Sequence, residues 1–197
     1  WQANTSLAYG ARGLLYFTYW PPPSLAASAI VDAEGKPTHR YAAVQELNRS
    51  IQALGPTLMA LRSTAVYHTG TIPTGCTRLP ADALLQVPAD KPLVVGCFTD
   101  LAKSDFVMLV NRDYRESQEF DVVMRADVAA VSRFDAAERK FIELPLENKR
   151  FQLSLQPGDC RLFAVQTRFA EREPQRPMAE INFEFKEHDE DWSAAHS

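Results

Sequence analysis

The feature that most constrains the fold is one apolar and aromatic run, LLYFTYW at residues 14–20, near the start of the chain. Gly10 and Gly13 precede this run, and three prolines at 21–23 follow it. A nearly continuous apolar run of this length predicts a β-strand buried on both faces, which is typical of parallel sheets. Because proline lacks the N–H group that a sheet needs, the strand is expected to end at the prolines.

Helices are predicted on both sides of this strand. Residues 2–9 are good or neutral helix formers that end at Gly10, a favourable residue just past a helix C-terminus. A long amphipathic helix is predicted from about Thr38, a candidate N-cap, because apolar residues then recur three and four positions apart. They are Val44, Leu47, Ile51, Leu54 and Leu58. Gly55 and Pro56 predict a kink or a break before a last turn through Leu61.

From about Thr64 the apolar pattern changes from a helical period to a strand period. Turn residues separate the runs at intervals of about ten, which predicts an antiparallel sandwich of about 100 residues. The predicted strands are 93–100, 105–113, 117–124, 128–135, 140–146, 150–155 and 160–166.

The strand at 14–20 has no predicted parallel neighbour in the rest of the chain. A parallel strand needs neighbours to pair its backbone groups and to bury both faces. We therefore expect residues 1–62 to belong to a larger body that continues before Trp1, and residues 63–168 to form a β-sandwich domain. Residues 169–197 are strongly charged and are expected to be a flexible tail, although alternating Ile181, Phe183 and Phe185 could form one edge strand.

The charge and composition exclude several classes of partner. The net charge is -4, and no basic stripe is present, which argues against nucleic acid or an anionic membrane as the partner. No stretch approaches the roughly 18 apolar residues of a membrane span. A small neutral ligand fits better.

No metal or other cofactor is predicted. Cys76, Cys97 and Cys160 lack metal-like spacing and are odd in number, which favours partly buried thiols over a disulfide framework and leaves room for one pair. The histidines are scattered at positions 39, 68, 188 and 196, and no HExxH or CxxC motif occurs.

Three segments together resemble the end of the TIM-barrel glycoside hydrolases of the retaining clan that contains β-galactosidases and cellulases. They are WQANTSLAYGARGLLYFTYWPPP, VDAEGKPTHRY and AVQELNRSIQALGPTLMALRSTAVYHTG. In that pattern the seventh helix, the eighth strand, a GKPT-like turn and the eighth helix precede a β-sandwich. LQPGDCRLFAV also resembles the closing hairpin of the small all-β domain of these enzymes, with Cys160 where glycine is common.

The resemblance covers about residues 1–167. It implies a fold class of an α/β fragment, the last β/α unit of a TIM barrel, plus an all-β antiparallel sandwich. It also implies a carbohydrate substrate and favours a secreted or periplasmic location. Enzymes of this clan use two carboxyl groups about 5 Å apart, which project from the carboxyl ends of barrel strands. The family pattern places both before Trp1, so no catalytic residue is expected within this chain.

The candidate substrate-binding residues are Trp20 and Tyr19, at the end of the apolar strand. A flat aromatic ring there can cover the apolar face of a sugar while its polar edge reaches a hydroxyl. Clan enzymes often place a tryptophan at this point. The alternative is that both rings only fill the barrel mouth or pack under the proline-rich loop.

Other polar residues have simpler interpretations. Asp32 and Glu34 fall in a Gly-Pro turn. Asp100, Asp105 and Asp113 flank predicted strands, where caps are expected and a calcium site is the alternative. His68 lacks a nearby nucleophile pattern and is expected to be a structural or surface histidine.

Two other functions stay open at the level of the sequence. The sandwich could be a free-standing carbohydrate-binding module, or a purely structural unit that provides a packing or oligomer interface. Its phenylalanines at 98, 106, 120, 134, 141, 151 and 163 alternate into a predicted core, and only Tyr67 and Tyr114 are expected to be exposed. No stacking platform for a sugar is therefore obvious.

Overall fold

The computed structural model describes residues 1–21 and 29–168. This part of the chain contains two helices, α1 (Gln2–Ala8) and α2 (Tyr41–Ala60). The strands follow in chain order: β1 (Arg62–His68), β2 (Leu85–Gln86), β3 (Leu93–Thr99), β4 (Asp105–Asn111), β5 (Gln118–Met124), β6 (Val128–Asp135), β7 (Lys140–Glu143), β8 (Arg150–Leu155) and β9 (Cys160–Thr167). The predictions for residues 169–197 concern a segment outside the described residues.

The strands form two antiparallel sheets that pack face to face. One sheet has six strands in the order β1-β3-β4-β9-β6-β7, and the other has three in the order β2-β5-β8. Side chains from both sheets form the inner core, including Leu93, Leu109, Phe120, Leu155 and Phe163. The seven strands predicted from residue 93 onward are confirmed, because alternating burial and turn residues are local properties of the sequence.

The two helices cover the outer face of the six-stranded sheet. Leu7 and Ala8 of α1 and Leu54 of α2 pack in one cluster with strand residues that include Val94 and Met108. The six-stranded sheet is therefore buried on both sides where the helices lie over it. This explains why β3 has a nearly continuous apolar sequence, LVVGCFT, instead of strict alternation.

The contact between α1 and β3 depends on Gly96. A Cβ atom at this position would lie 2.4 Å from the backbone oxygen of Ala8.

We expect Gly96→Ala to destabilise the protein by about 1–3 kcal/mol, because the helix would have to move away from the sheet. Gly55→Ala in α2 is the matched control. That site has open space around it, so the gain in helix propensity should stabilise the protein by roughly 0.5–1 kcal/mol. Urea denaturation of both variants measures the difference, and equal effects would contradict the prediction.

The structure differs from the sequence prediction at residues 14–20, which form no strand. Leu15 is 99% exposed and Phe17 is 86% exposed, so the expected burial on both faces is wrong for these residues. The physical reason is that no described strand pairs with this segment. Without a neighbouring strand, the side chains of Leu15 and Phe17 face solvent.

Helix α2 differs from its prediction at its N-terminus, and of the kink or break predicted at Gly55 and Pro56 it does not have the break. Pro56 lies inside the helix without interrupting it. Proline removes only one backbone hydrogen bond, and Leu54 and Leu58 on its two sides both pack against the outer cluster. The N-cap is Arg40 and not Thr38, whose hydroxyl accepts a hydrogen bond from the Arg40 N–H at 3.3 Å. Among the described residues, neither helix has the length and apolar character needed to cross a membrane.

Candidate functional site

The candidate site is built on residues 14–20, of which residues 14–19 alternate between half-buried and exposed. Leu15, Phe17 and Tyr19 are exposed, whereas the intervening Tyr16 and Thr18 are half-buried. The phenol of Tyr16 donates a hydrogen bond to Asn48 Oδ1 of α2 at 2.7 Å, and burial raises the pKa of Tyr16. Tyr16 is thus tied to α2, while the neighbouring Leu15, Phe17 and Tyr19 expose large apolar side chains.

Backbone hydrogen bonds hold Tyr19 and Trp20 in place. The carbonyl oxygen of Tyr19 accepts hydrogen bonds from the N–H groups of Ile30 at 3.1 Å and Val31 at 3.0 Å. The Thr18 hydroxyl donates to the Trp20 carbonyl oxygen at 2.8 Å. The two rings are nevertheless accessible, with Tyr19 61% exposed and Trp20 55% exposed.

The loop at residues 32–36 supports the tryptophan ring. Trp20 Nε1 donates a hydrogen bond to the backbone oxygen of Ala33 at 3.3 Å. Asp32 Oδ1 accepts N–H groups from Glu34 at 3.1 Å and Lys36 at 2.7 Å, which confirms that Asp32 shapes a turn. Gly35 in this turn has a φ of +79°, a conformation that favours glycine.

A cleft of about 460 Å³ lies between residues 14–20 and α2. Tyr19 lines the cleft, and Trp20 lies outside it, so the structure separates the two candidate rings. The segment contributes Leu14, Leu15, Tyr16 and Tyr19, the following loop contributes Ile30, and α2 contributes Tyr41, Val44, Gln45, Asn48, Arg49 and Gln52. An apolar floor with a few amide groups suits a ligand that is partly apolar and partly rich in hydroxyl groups.

Aspartates next to the strands act as turn caps. Asp100 Oδ1 accepts the N–H of Ser104 at 2.8 Å, and Asp113 Oδ1 accepts those of Arg115 and Glu116. These two caps are as predicted, and the backbone hydrogen bonds lower the pKa of Asp113. Asp105 is half-buried, and burial raises its pKa. In the described part of the chain, no three His, Cys, Asp or Glu side chains are placed to hold a metal ion.

One cluster was not predicted from the sequence. The phenol oxygen of Tyr9 lies 2.7 Å from His68 Nε2 and 3.6 Å from Cys76 Sγ. His68 is only 3% exposed, and its Nδ1 has no hydrogen-bond partner among the described residues. Burial, helped by the positive charge of Arg112, lowers the pKa of His68. The contacts join residues 59 and 67 positions apart, which no local pattern could have revealed.

His68 should make the stability of the protein depend on pH. Its pKa in the folded state lies below the value of 6.5 for a free histidine, so the unfolded chain takes up protons first as the pH falls. The stability that the neutral His68 contributes is fully present above about pH 6.5, and it is lost as the pH falls through the lower folded-state pKa. We expect a smaller drop in Tm from pH 7.5 to 5.5 in His68→Gln than in the wild type. His39→Gln, at an exposed histidine, is the control and should keep the wild-type drop.

The three cysteines are free thiols. Burial raises the pKa of Cys97 to about 11 and that of Cys160 to about 12. Thiols with such high pKa values stay protonated at neutral pH and are poor nucleophiles. Neither of these two cysteines is therefore a candidate catalytic residue.

The aromatic side chains of the sheets are mostly buried. Phe98, Phe120, Phe134 and Phe163 belong to the two cores. Tyr67, which was expected to be exposed, is partly buried because it packs against the inner core. Tyr114 is 60% exposed, as expected, and its ring lies 6.1 Å from that of Trp1. The sandwich thus presents no row of aromatic rings among its described residues.

No protein-family model matches this chain, and no curated protein matches it.

The solved structures with partial likeness to the chain include three that are glycoside hydrolases by name. The first is a provisionally assigned alpha-galactosidase/melibiase from Bacteroides fragilis, with 16% identity and a TM-score of 0.31 over 41% of this chain. The second is a provisionally assigned alpha-N-acetylgalactosaminidase from Bacillus halodurans, with 13% identity and a TM-score of 0.34 over 71% of this chain. The third is the catalytic domain of the GH30 xylanase C from Talaromyces cellulolyticus, with 17% identity and a TM-score of 0.24 over 41% of this chain.

The chain spans only 18%, 26% and 21% of the lengths of these three proteins. At such low identities and TM-scores, the likeness does not establish a shared activity or a shared overall fold.

Proposed function

We propose that this chain is the carbohydrate-contacting end of a glycoside hydrolase. Residues 1–62 would complete a (β/α)8 barrel, with residues 14–20 as its last strand, and residues 63–168 would be an accessory β-sandwich. The chain would contribute the sugar-contacting rings of Trp20 and Tyr19, while the two catalytic carboxyl groups would come from other barrel strands.

One observation carries this proposal: the exposed apolar side chains of residues 14–20. Leu15, Phe17 and Tyr19 are largely exposed, while Tyr16 between them donates a hydrogen bond to Asn48 of α2. In a barrel, one face of each strand packs against the outer helices and the other packs inside the barrel. Additional parallel strands would pair the free backbone of this segment and cover its apolar side chains.

Trp20 would then lie at the rim where substrates bind, because the carboxyl ends of barrel strands form the active-site face. Its ring is accessible, and its indole N–H is held by the backbone oxygen of Ala33. A ring fixed in this way stacks on a sugar with little loss of side-chain entropy.

The test is isothermal titration calorimetry of the full chain with xylohexaose and with galacto-oligosaccharides. We expect Trp20→Ala to weaken binding about 10-fold or more, equivalent to roughly 1.4 kcal/mol, because the stacking surface is lost. Trp1→Ala is the matched control, since Trp1 is also exposed but lies beside Tyr114 on the sandwich.

Three results would contradict the proposal. The first is binding that Trp20→Ala and Trp1→Ala weaken equally, and the second is no binding to any oligosaccharide. The third is hydrolysis of aryl glycosides by the purified chain, because a chain without the carboxyl pair should not turn over substrate.

A further inference from the structure

A second cleft lies on the side of the sandwich where both sheets end. Strands β7 and β8 hold the last positions of the six-stranded and three-stranded sheets. The cleft has a volume of about 890 Å³ and lies between Arg133 of β6, the connection from β7 to β8, and β8 itself. Four consecutive residues of β8, at 150–153, line it. Because consecutive residues of a strand point to opposite faces, the cleft follows the edge of β8 and not one face.

The register of β5 and β8 shows which backbone groups point toward this cleft. The N–H of Met124 donates to the oxygen of Lys149 at 2.8 Å, in register with the β5–β8 pairing. Hydrogen-bonded and non-bonded pairs alternate along an antiparallel ladder. Counting from this bond, Gln152 and Ser154 fall in non-bonded pairs, so their N–H and C=O groups point away from β5.

The outer edge of β8 is therefore open at two residues. Arg150 has the same orientation, but its N–H and C=O groups bond to Glu147 at 2.9 and 3.0 Å. Gln152 and Ser154 have no backbone hydrogen-bond partner among the described residues. An unpaired edge of this kind is a template for another strand.

The lining of the cleft suits the side chains of such a strand. Four of the ten residues that line it form an apolar floor, and the other six are polar or charged; the four are Leu144, Pro145, Phe151 and Leu153. Phe151 and Leu153 alternate with the outward-facing Gln152, so apolar residues at every second position of a docked strand would meet this floor. The free main-chain groups favour a peptide over a sugar, because a peptide strand can bond to all of them in register.

We propose that the edge of β8 is a docking site for an extended peptide strand with apolar residues at alternate positions. The strand would pair with the backbone of Gln152 and Ser154 and place its apolar side chains in the cleft. This site lies on the sandwich and makes no use of Trp20, so it is independent of the proposed sugar site.

The probe for the test is the octapeptide EINFEFKE, labelled with fluorescein. Its sequence, which the chain carries at positions 180–187, has the required alternation of Ile and Phe with polar residues. We expect saturable binding to the full chain in fluorescence anisotropy. Hydrogen exchange of the Gln152 and Ser154 amides should slow at least 10-fold when the peptide is bound, since exposed amides become paired.

Two substitutions at Gln152 and one modified peptide distinguish main-chain pairing from other contacts. Gln152→Pro removes an outward N–H without removing a bond to β5, and it should weaken binding at least 10-fold. Gln152→Ala keeps that N–H and should bind like the wild type. The same peptide with N-methyl groups at alternate residues tests the pairing without altering the protein, and it should not bind.

Several outcomes would overturn the proposal. They are no binding of EINFEFKE, equal binding of the N-methylated peptide, or exchange of the Gln152 and Ser154 amides that the peptide does not slow. A cleft that binds xylohexaose and ignores the peptide would be a sugar site instead, and would also overturn it.

Discussion

Phe163→Ala should destabilise the protein by about 3–5 kcal/mol, the largest expected loss from removing one apolar side chain. Phe163 is fully buried on β9, and its ring lies 5.4 Å from that of Phe151 on β8. The side chain therefore joins the two sheets through the centre of the inner core. Removing it leaves a cavity that the surrounding strands can fill only in part.

Phe17→Ala makes the same chemical change at a ring that is 86% exposed, and it is the matched control. An exposed substitution is expected to change stability by no more than about 0.5 kcal/mol. The free energy of unfolding from urea titrations compares the two variants. If both variants lost the same stability, Phe163 would not hold the sheets together.

Asn111→Asp should destabilise the protein by roughly 3–5 kcal/mol, because it places a charge without a partner in the interior. Asn111 is fully buried at the end of β4. Its amide group donates to the backbone oxygens of Glu116 at 2.8 Å and Gln156 at 3.0 Å, while its Oδ1 accepts the N–H of Asp113. A carboxylate would lose both donated bonds and face two carbonyl oxygens.

The control for this variant is Asn148→Asp. Asn148 is exposed in the turn before β8 and has a φ of 50°, a conformation that aspartate tolerates nearly as well as asparagine. We expect a change in stability of less than about 0.5 kcal/mol at this site. Thermal unfolding at pH 7 measures both variants. A loss in Asn111→Asp no larger than in Asn148→Asp would mean that the buried amide does not fix this turn.

Asn111 illustrates how much a local pattern can reveal. Its sequence context, Asn-Arg-Asp between two apolar runs, predicts a turn, and the structure has a turn there. The sequence does not reveal that its side chain reaches the connection between β8 and β9, 45 residues away. Turn chemistry depends on neighbouring residues, whereas this hydrogen bond depends on how two distant segments meet.

Trp20 and Tyr19 also show what a local sequence pattern can and cannot reveal. The exposure of Trp20 and Tyr19 agrees with rings available to a ligand, although only Tyr19 lines the cleft beside α2. Their role in sugar binding stays a prediction. The cluster of Tyr9, His68 and Cys76 and the open edge of β8 could not be predicted, because each arises where separate elements pack together.

The sequence by itself determined the seven strands from residue 93 onward and the two helices, because burial period and turn residues act over a few positions. Only the tertiary structure decided which apolar runs are buried. LVVGCFT of β3 and LLYFTYW at residues 14–20 look alike as sequences, yet the first lies between a sheet and a helix and the second is largely exposed. Burial needs partners on both faces, and those partners come from distant parts of a chain.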